Sequence, residues 1–455
     1  MSILIRNGLI VSEGRSYLAD VYVDGGIIKE IAPHIDREAD ELIDARGMYV
    51  MAGFIDTHTH FDLDLGVTVT ADNFETGSAA AVVGGTTTVL DFATQDRGMT
   101  MQDALDVWHK KAQGASCNYG FHMAVSEWNE EREKEVKSMM AQGVTSFKMY
   151  MVYDSMKVDD GKIYSALKLT SELGCLIGVH CENYDVLQAR IAELKAEGKT
   201  APKYHAVSRP NAVEAEGVAR LMRIGELAKA PVWVVHLSTL EGLEEARRAR
   251  ARGQEVYLET CPQYLVLNDS EYEKDDAEKF IMSPPLRHDC DKKAILDGLM
   301  GDIDFIGTDH CSFTMEQKAL GNGDFSKVPN GGAGVQNRAE LVHTYCVKSG
   351  DISIERMAEL LSENAAKIFG MYPQKGCIRV GSDADIVIFD PNDEHVISYK
   401  TNLHNCDNSP YEGIRVVGRC KHVLVNGVHA VRDGLLTERG RGKYVFRKAG
   451  IRTRK

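Results

Sequence analysis

The sequence predicts an α/β protein in which a (β/α)8 TIM barrel is joined to a small β-sandwich domain formed by both ends of the chain. Three observations lead to this fold class. The middle of the chain alternates short β-type runs with helical segments, both ends show the alternation of half-buried strands, and several runs end in residues that can bind a metal ion. A chain of 455 residues is long enough for one large domain and a smaller one.

The two ends of the chain share one pattern. Apolar and polar residues alternate in short pieces between glycines over residues 1 to about 50, and the same texture returns at 385–390 and 421–427. This alternation is typical of antiparallel strands with one buried face. Because chain ends often lie close together, we expect residues 1–51 and 371–440 to form one sandwich domain around a barrel of residues 52–370, followed by a basic tail at 441–455.

The middle of the chain has a different rhythm. Short runs rich in Val, Ile, Thr and aromatic residues are separated by segments with helical spacing of apolar residues, for example 213–228 and 240–252. Eight strand-helix alternations favour a (β/α)8 barrel. The eight predicted strands are 53–58, 86–92, 119–125, 144–150, 175–180, 232–237, 255–260 and 304–309.

The first predicted strand ends in two histidines, His58 and His60. Side chains alternate along an extended strand, so both imidazoles lie on the same face and can reach one ion. This pair alone leaves two interpretations open, a metal site or a hydrogen-bonded core histidine beside a surface one.

Other predicted strands also finish on residues with ligand chemistry. In a barrel the C-terminal ends of all eight strands meet at one mouth. A single His or Asp in this position is typical of a capping or core hydrogen bond, but several strands with imidazole and carboxylate groups in the same place indicate a site for Zn2+ or a similar first-row ion. The strand-end residues are His58, His60, Asp91, His122, Lys148, His180, His236, Glu259 and Asp309.

Composition limits the partners and the compartment. A net charge of −14 and a pI near 5.6 argue against a general nucleic-acid or anionic-membrane binder, and the basic residues 439–455 are interpreted as a solvated or subunit-contacting extension. No run of about 18 apolar residues and no secretory signal are present. Ten cysteines without a Cys-x-x-Cys pair indicate a reducing compartment, so we expect a cytoplasmic protein.

Six motifs, in this order, resemble the dihydropyrimidinase and hydantoinase type of cyclic amidohydrolase. The similarity extends from the N-terminal strands to about residue 435. It implies an enzyme that opens the cyclic amide of hydantoins or 5,6-dihydropyrimidines to N-carbamoyl amino acids by means of a metal-bridging hydroxide. The motifs are GFIDTHTHFD (53–62), SFKMY (146–150), GVHCEN (178–183), VHLS (235–238), ETCPQYL (259–265) and GTDH (307–310).

The resemblance implies two divalent metal ions per subunit, Zn2+ with Mn2+ as the alternative. Lys148 would be carboxylated by CO2 to N6-carboxylysine and bridge both ions; burial and nearby dications favour the neutral amine that reacts with CO2. Spacing alone leaves Lys148 open to another interpretation, a lysine that reaches solvent or pairs with an aspartate. The implied ligands are His58, His60 and Asp309 on the first ion, His180 and His236 on the second, and Lys148 on both.

The resemblance also implies catalytic and substrate-binding residues. Asp309 would pass a proton from the hydroxide to the leaving ring nitrogen, and the hydroxyl of Tyr153 would stabilise the oxyanion. The backbone of Ser283 and of Asn337 would bind the imide edge of a small cyclic imide. Relatives of this type form homotetramers, which is the expected assembly.

Two loops, 61–72 and 150–159, are expected to cover the exocyclic substituent of the ring. Their residues are mixed rather than strongly aromatic and include Leu63, Leu65, Val152, Met156 and Lys157. From Lys157 in particular we expect small or polar 5-substituents, or plain dihydropyrimidines, to be accepted.

Related activities are separated by single positions. Dihydroorotases typically carry an arginine two residues after the His-x-His pair, where this chain has Asp62. Allantoinase activity remains an alternative, because the metal ligands of allantoinases resemble those of this chain. The segment from Lys148 to Tyr153 favours a hydantoinase over an allantoinase. The collapsin-response proteins share this fold as interaction scaffolds that have lost metal ligands, whereas this chain retains all six.

Overall fold

The protein is described by a computed structural model that covers residues 1–450. Within this range the strands form a nine-stranded mixed sheet and an eight-stranded parallel sheet. The N-terminal residues supply the first part of the mixed sheet, where β1 pairs with β2 in antiparallel and with β4 and β5 in parallel. These strands are β1 (Ser2–Ser12), β2 (Arg15–Asp24), β3 (Ile27–Ala32), β4 (Glu41–Asp44) and β5 (Tyr49–Ala52).

The parallel sheet is the predicted barrel. Its strands are hydrogen-bonded in sequence order, and a bridge between Thr59 and His310 joins the first strand to the residues that follow the last. Each predicted run contains one of the observed strands or most of it, so the (β/α)8 prediction is confirmed. The strands are β6 (Phe54–Thr59), β7 (Thr86–Gln95), β8 (Asn118–Val125), β9 (Ser146–Tyr150), β10 (Leu176–His180), β11 (Val232–Val234), β12 (Val256–Thr260) and β13 (Phe305–Ile306).

Helices surround the barrel, and side-chain caps fix where many of them begin. Thr100 and Asp103 form a capping box, and Asp159, Asn183 and Thr239 each accept a backbone N–H at a helix start. The helices are α1 (Phe74–Val83), α2 (Met101–Lys111), α3 (Glu130–Ala141), α4 (Asp160–Glu172), α5 (Tyr184–Ala196), α6 (Tyr204–Ser208), α7 (Asn211–Ala228), α8 (Leu240–Ala251), α9 (Gln263–Val266), α10 (Asp289–Gly298), α11 (Met315–Lys318), α12 (Arg338–Val342), α13 (Ile354–Ala358) and α14 (Asn364–Ile368). None of the helices in residues 1–450 has the length and apolar character needed to cross a lipid bilayer.

The C-terminal strands complete the mixed sheet. β14 lies antiparallel to β5, so both ends of the chain meet in one continuous sheet beside the barrel. This confirms the prediction of a separate β structure built from both termini. The strands are β14 (Ile386–Val396), β15 (Arg415–Val425), β16 (Val428–Arg432) and β17 (Leu435–Leu436).

Large side chains fill the inside of the barrel. Trp233 is fully buried, and its ring lies 5.8 Å from that of Phe305 and 5.1 Å from that of Phe369, measured between ring centroids. His122 and Phe92 stack above them at 4.9 Å. Because the interior is packed, a ligand can meet the strand residues only at the mouth formed by their C-terminal ends.

The segment 443–448 packs under the barrel. Tyr119 of β8 donates its N–H to Lys443 and accepts one from Val445, and β8 pairs directly with β9 further along, at Met123 and Ala124. Arg447 enters between these two strands and donates to Ser146 Oγ at 2.7 Å and to the carbonyl of Phe121. This part of the predicted tail therefore packs against the barrel through Tyr444 and Arg447, while Lys443, Phe446 and Lys448 are exposed; residues 451–455 of the tail lie outside the described residues.

We expect Arg447→Met to lower the free energy of unfolding by about 2–4 kcal/mol, because Ser146 and the Phe121 carbonyl lose a buried charged donor. Urea or thermal unfolding monitored by circular dichroism measures the change. Lys443→Met is the control: this exposed lysine lies in the same segment and should change stability by less than about 0.5 kcal/mol. Equal stability of the two variants would contradict a bracing role for Arg447.

Candidate metal centre

Side chains from the first, sixth and last barrel strands meet at the mouth. His58 lies in β6 and His60 directly follows it, and the Nε2 atoms of both lie 3.1 Å from Oδ1 of Asp309, which follows β13. His236, which follows β11, joins them: the ligand atoms of His58, His236 and Asp309 all lie within 4.8 Å of one another. The arrangement forms a group of nitrogen and oxygen donors that could hold a metal ion.

The two remaining predicted ligands lie beside this group. Lys148 Nζ is 2.7 Å from His58 Nε2. The ring of His180 lies 4.5 Å from the ring of His236, measured between centroids, while its Nε2 contacts Glu182 at 2.7 Å. The second ring nitrogen of His180 is thus the one left for an ion.

Burial keeps most of these imidazoles neutral. It lowers the pKa of His60 to about 4 and also lowers the pKa of His180 and His236 below 6.5. Burial alone would raise the pKa of Asp309, but the charge of His58 and contacts with His58 and His60 hold that pKa well below its usual range. Neutral imidazoles and an ionised carboxylate are the forms that bind metals.

Lys148 is 2% exposed, which excludes the interpretation that it reaches solvent. Within residues 1–450 it forms no ion pair, so the pairing with an aspartate is not observed either. Burial lowers its pKa to about 8, which increases the fraction of neutral amine near neutral pH. This is the form that reacts with CO2.

His236 shows most directly that the residues fit an ion. Its Nδ1 is buried and has no hydrogen-bond partner among the described residues, whereas its backbone N–H donates to Glu259 at 3.3 Å. An unpaired buried polar atom costs about 1–3 kcal/mol. Metal coordination by the ring would be consistent with this arrangement, and imidazole with carboxylate suits Zn2+ or a related first-row ion.

Glu259 orients the first histidine. Its Oε2 lies 2.9 Å from His58 Nδ1, and its Oε1 accepts the hydroxyl of Thr57 at 2.9 Å. The carboxylate therefore favours the Nδ1–H tautomer of His58 and leaves Nε2 for a ligand bond. Glycine at position 307 permits this, because a Cβ there would lie 2.2 Å from Glu259 Oε1.

Glu182 orients His180 in the same manner, and sequence analysis missed it. Arg209, which precedes α7, donates to Glu182 Oε2 at 2.6 Å, and both side chains are buried. The charge of Arg209 and the His180 contact hold the pKa of Glu182 far below its usual range against the effect of burial. The position of Glu182 two residues after His180 was the available signal.

Two strand-end residues have structural roles instead. Asp91 accepts hydrogen bonds from Thr59, Phe61 and Trp108 at 2.8 to 2.9 Å and so fixes the chain after β6. His122 contacts Ser146 Oγ at 2.6 Å and the Thr57 carbonyl at 3.1 Å. These are the core hydrogen bonds that the sequence left as the alternative interpretation.

Three site residues have a left-handed backbone. Their φ angles are 72° for Tyr153, 40° for His236 and 52° for Asp309. A residue other than glycine in this region costs about 1–3 kcal/mol, and such strain is concentrated at functional sites. The surrounding fold thus holds these side chains in positions that the local chain disfavours.

A cavity of about 630 Å³ opens above the candidate metal centre. Tyr153 and Ser283 line it, together with His60, Lys148, His180, His236 and Asp309. Asn337 does not appear in the lining: its side chain donates to Glu340 at 2.7 Å, its backbone N–H donates to Gly334 at 3.1 Å, and its carbonyl accepts from Leu341 at 3.0 Å.

Three segments surround the mouth of the cavity. Residues 63–67 and 153–156 belong to the two expected loops, but the third segment, 326–331, was not expected from the sequence. Lys157 lies outside the lining, with its Nζ 4.1 Å from the ring centroid of Tyr184 and 3.8 Å from Asp185. The side chain that suggested a polar substituent site is therefore turned away from the cavity.

Comparisons with known proteins give one consistent result. A model of the amidohydrolase family matches residues 49–429. The chain is 42% identical to the D-hydantoinase of Geobacillus stearothermophilus over 455 residues, which covers 98% of this chain and 97% of that protein. It is 40% identical to a D-phenylhydantoinase of Escherichia coli O1:K1 / APEC, with 98% of both proteins covered. The crystal structure of dihydropyrimidinase from Brevibacillus agri NCHU1002 superimposes with a TM-score of 0.98 at 41% identity and covers 100% of both chains.

We expect Glu182→Gln to weaken metal binding about 10- to 100-fold, because the amide no longer offers His180 and Arg209 a charged acceptor. Metal retained per chain during titration with a chelator measures this. Glu197→Gln, on the exposed end of α5, is the matched control and should behave as wild type. A chelator midpoint unchanged in Glu182→Gln would contradict the orienting role.

Proposed function

The chain belongs to the amidohydrolase family, and from this premise we propose that it is a hydrolase that opens the ring C–N bond of hydantoins or 5,6-dihydropyrimidines to give N-carbamoyl amino acids. The observation that carries the proposal is the meeting of His58, His236 and Asp309 at the mouth of the barrel, beside Lys148 and below the cavity. The similarity to D-hydantoinases and a dihydropyrimidinase over nearly the whole chain supports this reaction class.

The proposed cofactors are two divalent metal ions, Zn2+ with Mn2+ as the alternative. His58, His60 and Asp309 would hold one ion and His180 and His236 the other, with a carboxylated Lys148 between them. When bound, the ions supply Lewis acidity and lower the pKa of water, so that it attacks a carbonyl carbon at neutral pH. The buried amine of Lys148 and the unpaired nitrogen of His236 support this assignment.

Asp309 is the proposed proton carrier. It is ionised at neutral pH because its pKa is held low by His58 and His60. Its carboxylate also lines the cavity, where it can accept the proton of the nucleophile. The same proton then goes to the ring nitrogen as the C–N bond breaks, which lets the nitrogen leave as the NH2 of the carbamoyl group.

Tyr153 and Ser283 would hold the ring. Burial raises the pKa of Tyr153, so the phenol keeps its proton and can donate a hydrogen bond to the carbonyl oxygen as charge develops there. The hydroxyl of Ser283 already donates to Asn330 at 3.0 Å. Its backbone is therefore the part that would bind the imide edge, together with the backbone of Asn337.

The substituent is proposed to pack against the apolar side chains of the mouth. Leu63, Leu65 and Val67 line one side of the mouth, while Met156 and Val328 line the other parts. The expectation of small or polar substituents was based on the mixed residues of both loops and on Lys157 in particular, and Lys157 lies outside the cavity lining. These apolar side chains favour an aliphatic substituent, which buries its surface against them on binding, while Asp64, Asp96 and Lys327 form the charged part of the lining.

We expect the purified protein, supplied with Zn2+ or Mn2+ and bicarbonate, to open dihydrouracil and hydantoin. Lys148→Ala should lose activity by on the order of 100-fold or more, because no carboxylated side chain can form between the ions. Lys168→Ala, an exposed lysine on α4, is the matched control. Turnover is measured by the loss of ring absorbance, and the amount of bound metal per chain is measured on the same samples.

The other outcomes of this experiment separate the alternatives. Turnover of allantoin without turnover of hydantoin or dihydrouracil would replace the proposed substrate class. Wild-type protein that binds no metal and opens no ring would contradict the hydrolase and favour an interaction scaffold.

Among 5-substituted hydantoins, we expect kcat/KM for the 5-isopropyl compound to exceed that for the 5-carboxymethyl compound by about 10-fold or more, because a carboxylate has to be desolvated at the apolar mouth. Initial rates at subsaturating substrate measure this ratio. Leu65→Lys should lower this ratio of kcat/KM values, because an ammonium at position 65 would attract the carboxylate of the substrate. Preference for the charged substituent in wild type would contradict an apolar site.

A further inference from the structure

Lys318, the last residue of α11, is 1% exposed and points into the wall of the cavity. Its Nζ donates to three backbone carbonyls, those of Ile281 at 2.9 Å, Pro329 at 2.7 Å and Gly331 at 2.6 Å. An ammonium has three N–H donors and no acceptor, so these three carbonyls satisfy it completely. The metal centre described above does not use this residue.

The three carbonyls belong to two segments that form the cavity. Ile281 lies two residues before Ser283, whereas Pro329 and Gly331 line the cavity directly. The segments are also joined to each other, because Gly331 donates its N–H to Ile281 and Ser283 donates its hydroxyl to Asn330, both at 3.0 Å. One ammonium thus lies at the junction of the proposed substrate-binding backbone and the third segment of the mouth.

The surroundings of Lys318 show how the charge is stabilised. The Lys318 ammonium interacts electrostatically with three neighbouring groups, those of Glu278, Cys311 and His205. The ring centroid of Phe313 lies 5.4 Å from Nζ. Burial raises the pKa of the Cys311 thiol and lowers the pKa of His205 to about 3, so both are neutral. Within residues 1–450 Lys318 forms no ion pair, and the carbonyl dipoles are its direct partners.

Stability alone does not account for a buried ammonium at this position. Burying a charge without a counter-ion costs several kcal/mol, and a methionine of similar length would fill the space without that cost. What the ammonium supplies and a methionine cannot is a fixed spacing between three carbonyl oxygens. That spacing sets where the chain from Ile281 to Ser283 lies relative to residues 329–331.

We propose that Lys318 is a positioning residue for substrate binding: its ammonium holds residues 281–283 and 329–331 together so that the backbone of Ser283 can receive the ring. The inference rests on the proposed function. Lys318 contacts neither Asp309 nor Tyr153 nor any predicted metal ligand, so its loss should affect binding of the ring rather than the chemical step.

The first test is Lys318→Met in the full-length, metal-loaded protein with dihydrouracil or hydantoin. The expected result is a rise in KM of about 10-fold, with kcat within about twofold of wild type and unchanged metal content. Arg356→Met is the matched control, since Arg356 also donates to backbone carbonyls, those of Leu299 at 2.8 Å and Ile303 at 2.7 Å, but lies outside the cavity lining. It should lower Tm and leave KM unchanged.

A second readout separates positioning from a general loss of packing. Burial lowers the pKa of Lys318 to about 7, so the wild-type ammonium loses a proton as pH rises through about 7 and then has two N–H donors for three carbonyls. The ratio of KM in Lys318→Met to KM in wild type should therefore be largest near pH 6 and fall toward pH 8. Lys318→Arg stays charged and should show a flatter pH dependence of KM than wild type.

The proposal is overturned if Lys318→Met has the same KM as wild type, or if its kcat falls while its KM is unchanged. If the methionine variant does not fold, the arginine variant decides. The proposal is overturned if KM depends on pH in Lys318→Arg in the same way as in wild type. If wild type opens none of the rings, the proposed function fails separately, and amide hydrogen exchange decides the inference. Faster exchange at 281–283 and 329–331 in the variant supports it, and equal exchange overturns it.

Discussion

The contact of the Asp309 carboxylate with His58 and His60 is the interaction on which the rest of the structure depends. A largely buried carboxylate is costly unless it is paired, and here its partners come from the opposite end of the barrel sequence. The contact therefore requires the first and last strands to lie side by side. Three sets of hydrogen bonds join the first strand to the last. The Thr308 hydroxyl donates to Asp56, and the His310 N–H donates to the His58 carbonyl. Arg338 donates to the carbonyls of Ile55 and Ile306. Barrel closure and site assembly are thus one physical event.

The position of Lys148 is set from below. Ser146 lies two residues before it on β9 and accepts a hydrogen bond from Arg447, and the same hydroxyl contacts His122, which reaches the Thr57 carbonyl on β6. The C-terminal segment is therefore connected through three side chains to the strand that carries His58 and His60. Glu259 and Glu182 then orient His58 and His180 from the outer side. The predicted ligands are held by partners that are distant from them in sequence.

This distance explains what the sequence could and could not predict. The eight strands were predictable because apolar β-type runs alternate with helical spacing, and the ligands because His and Asp residues finish those runs. The direction of the Lys157 side chain could not be predicted, because a loop has no periodicity that fixes where its side chains point. Arg447, Arg209 and Lys318 were missed for a different reason: their partners are carbonyls or side chains brought close only by the fold, so nothing near them in sequence marks their role.

The terminal sheet supplies none of the cavity lining identified within residues 1–450, yet it fixes the strand that does. Gly53 donates its N–H to Asp385 just before β6 begins, and Asp385 is held in turn by Lys375 and Asn118. One end of β6 is thus anchored to residues near the sheet, while its other end is fixed by Asp91 through Thr59 and Phe61. A six-residue strand held at both ends has little freedom to shift along its axis. Because a shift of one residue would turn His58 and His60 away from Asp309, the sheet contributes to the candidate metal centre through register rather than through contact.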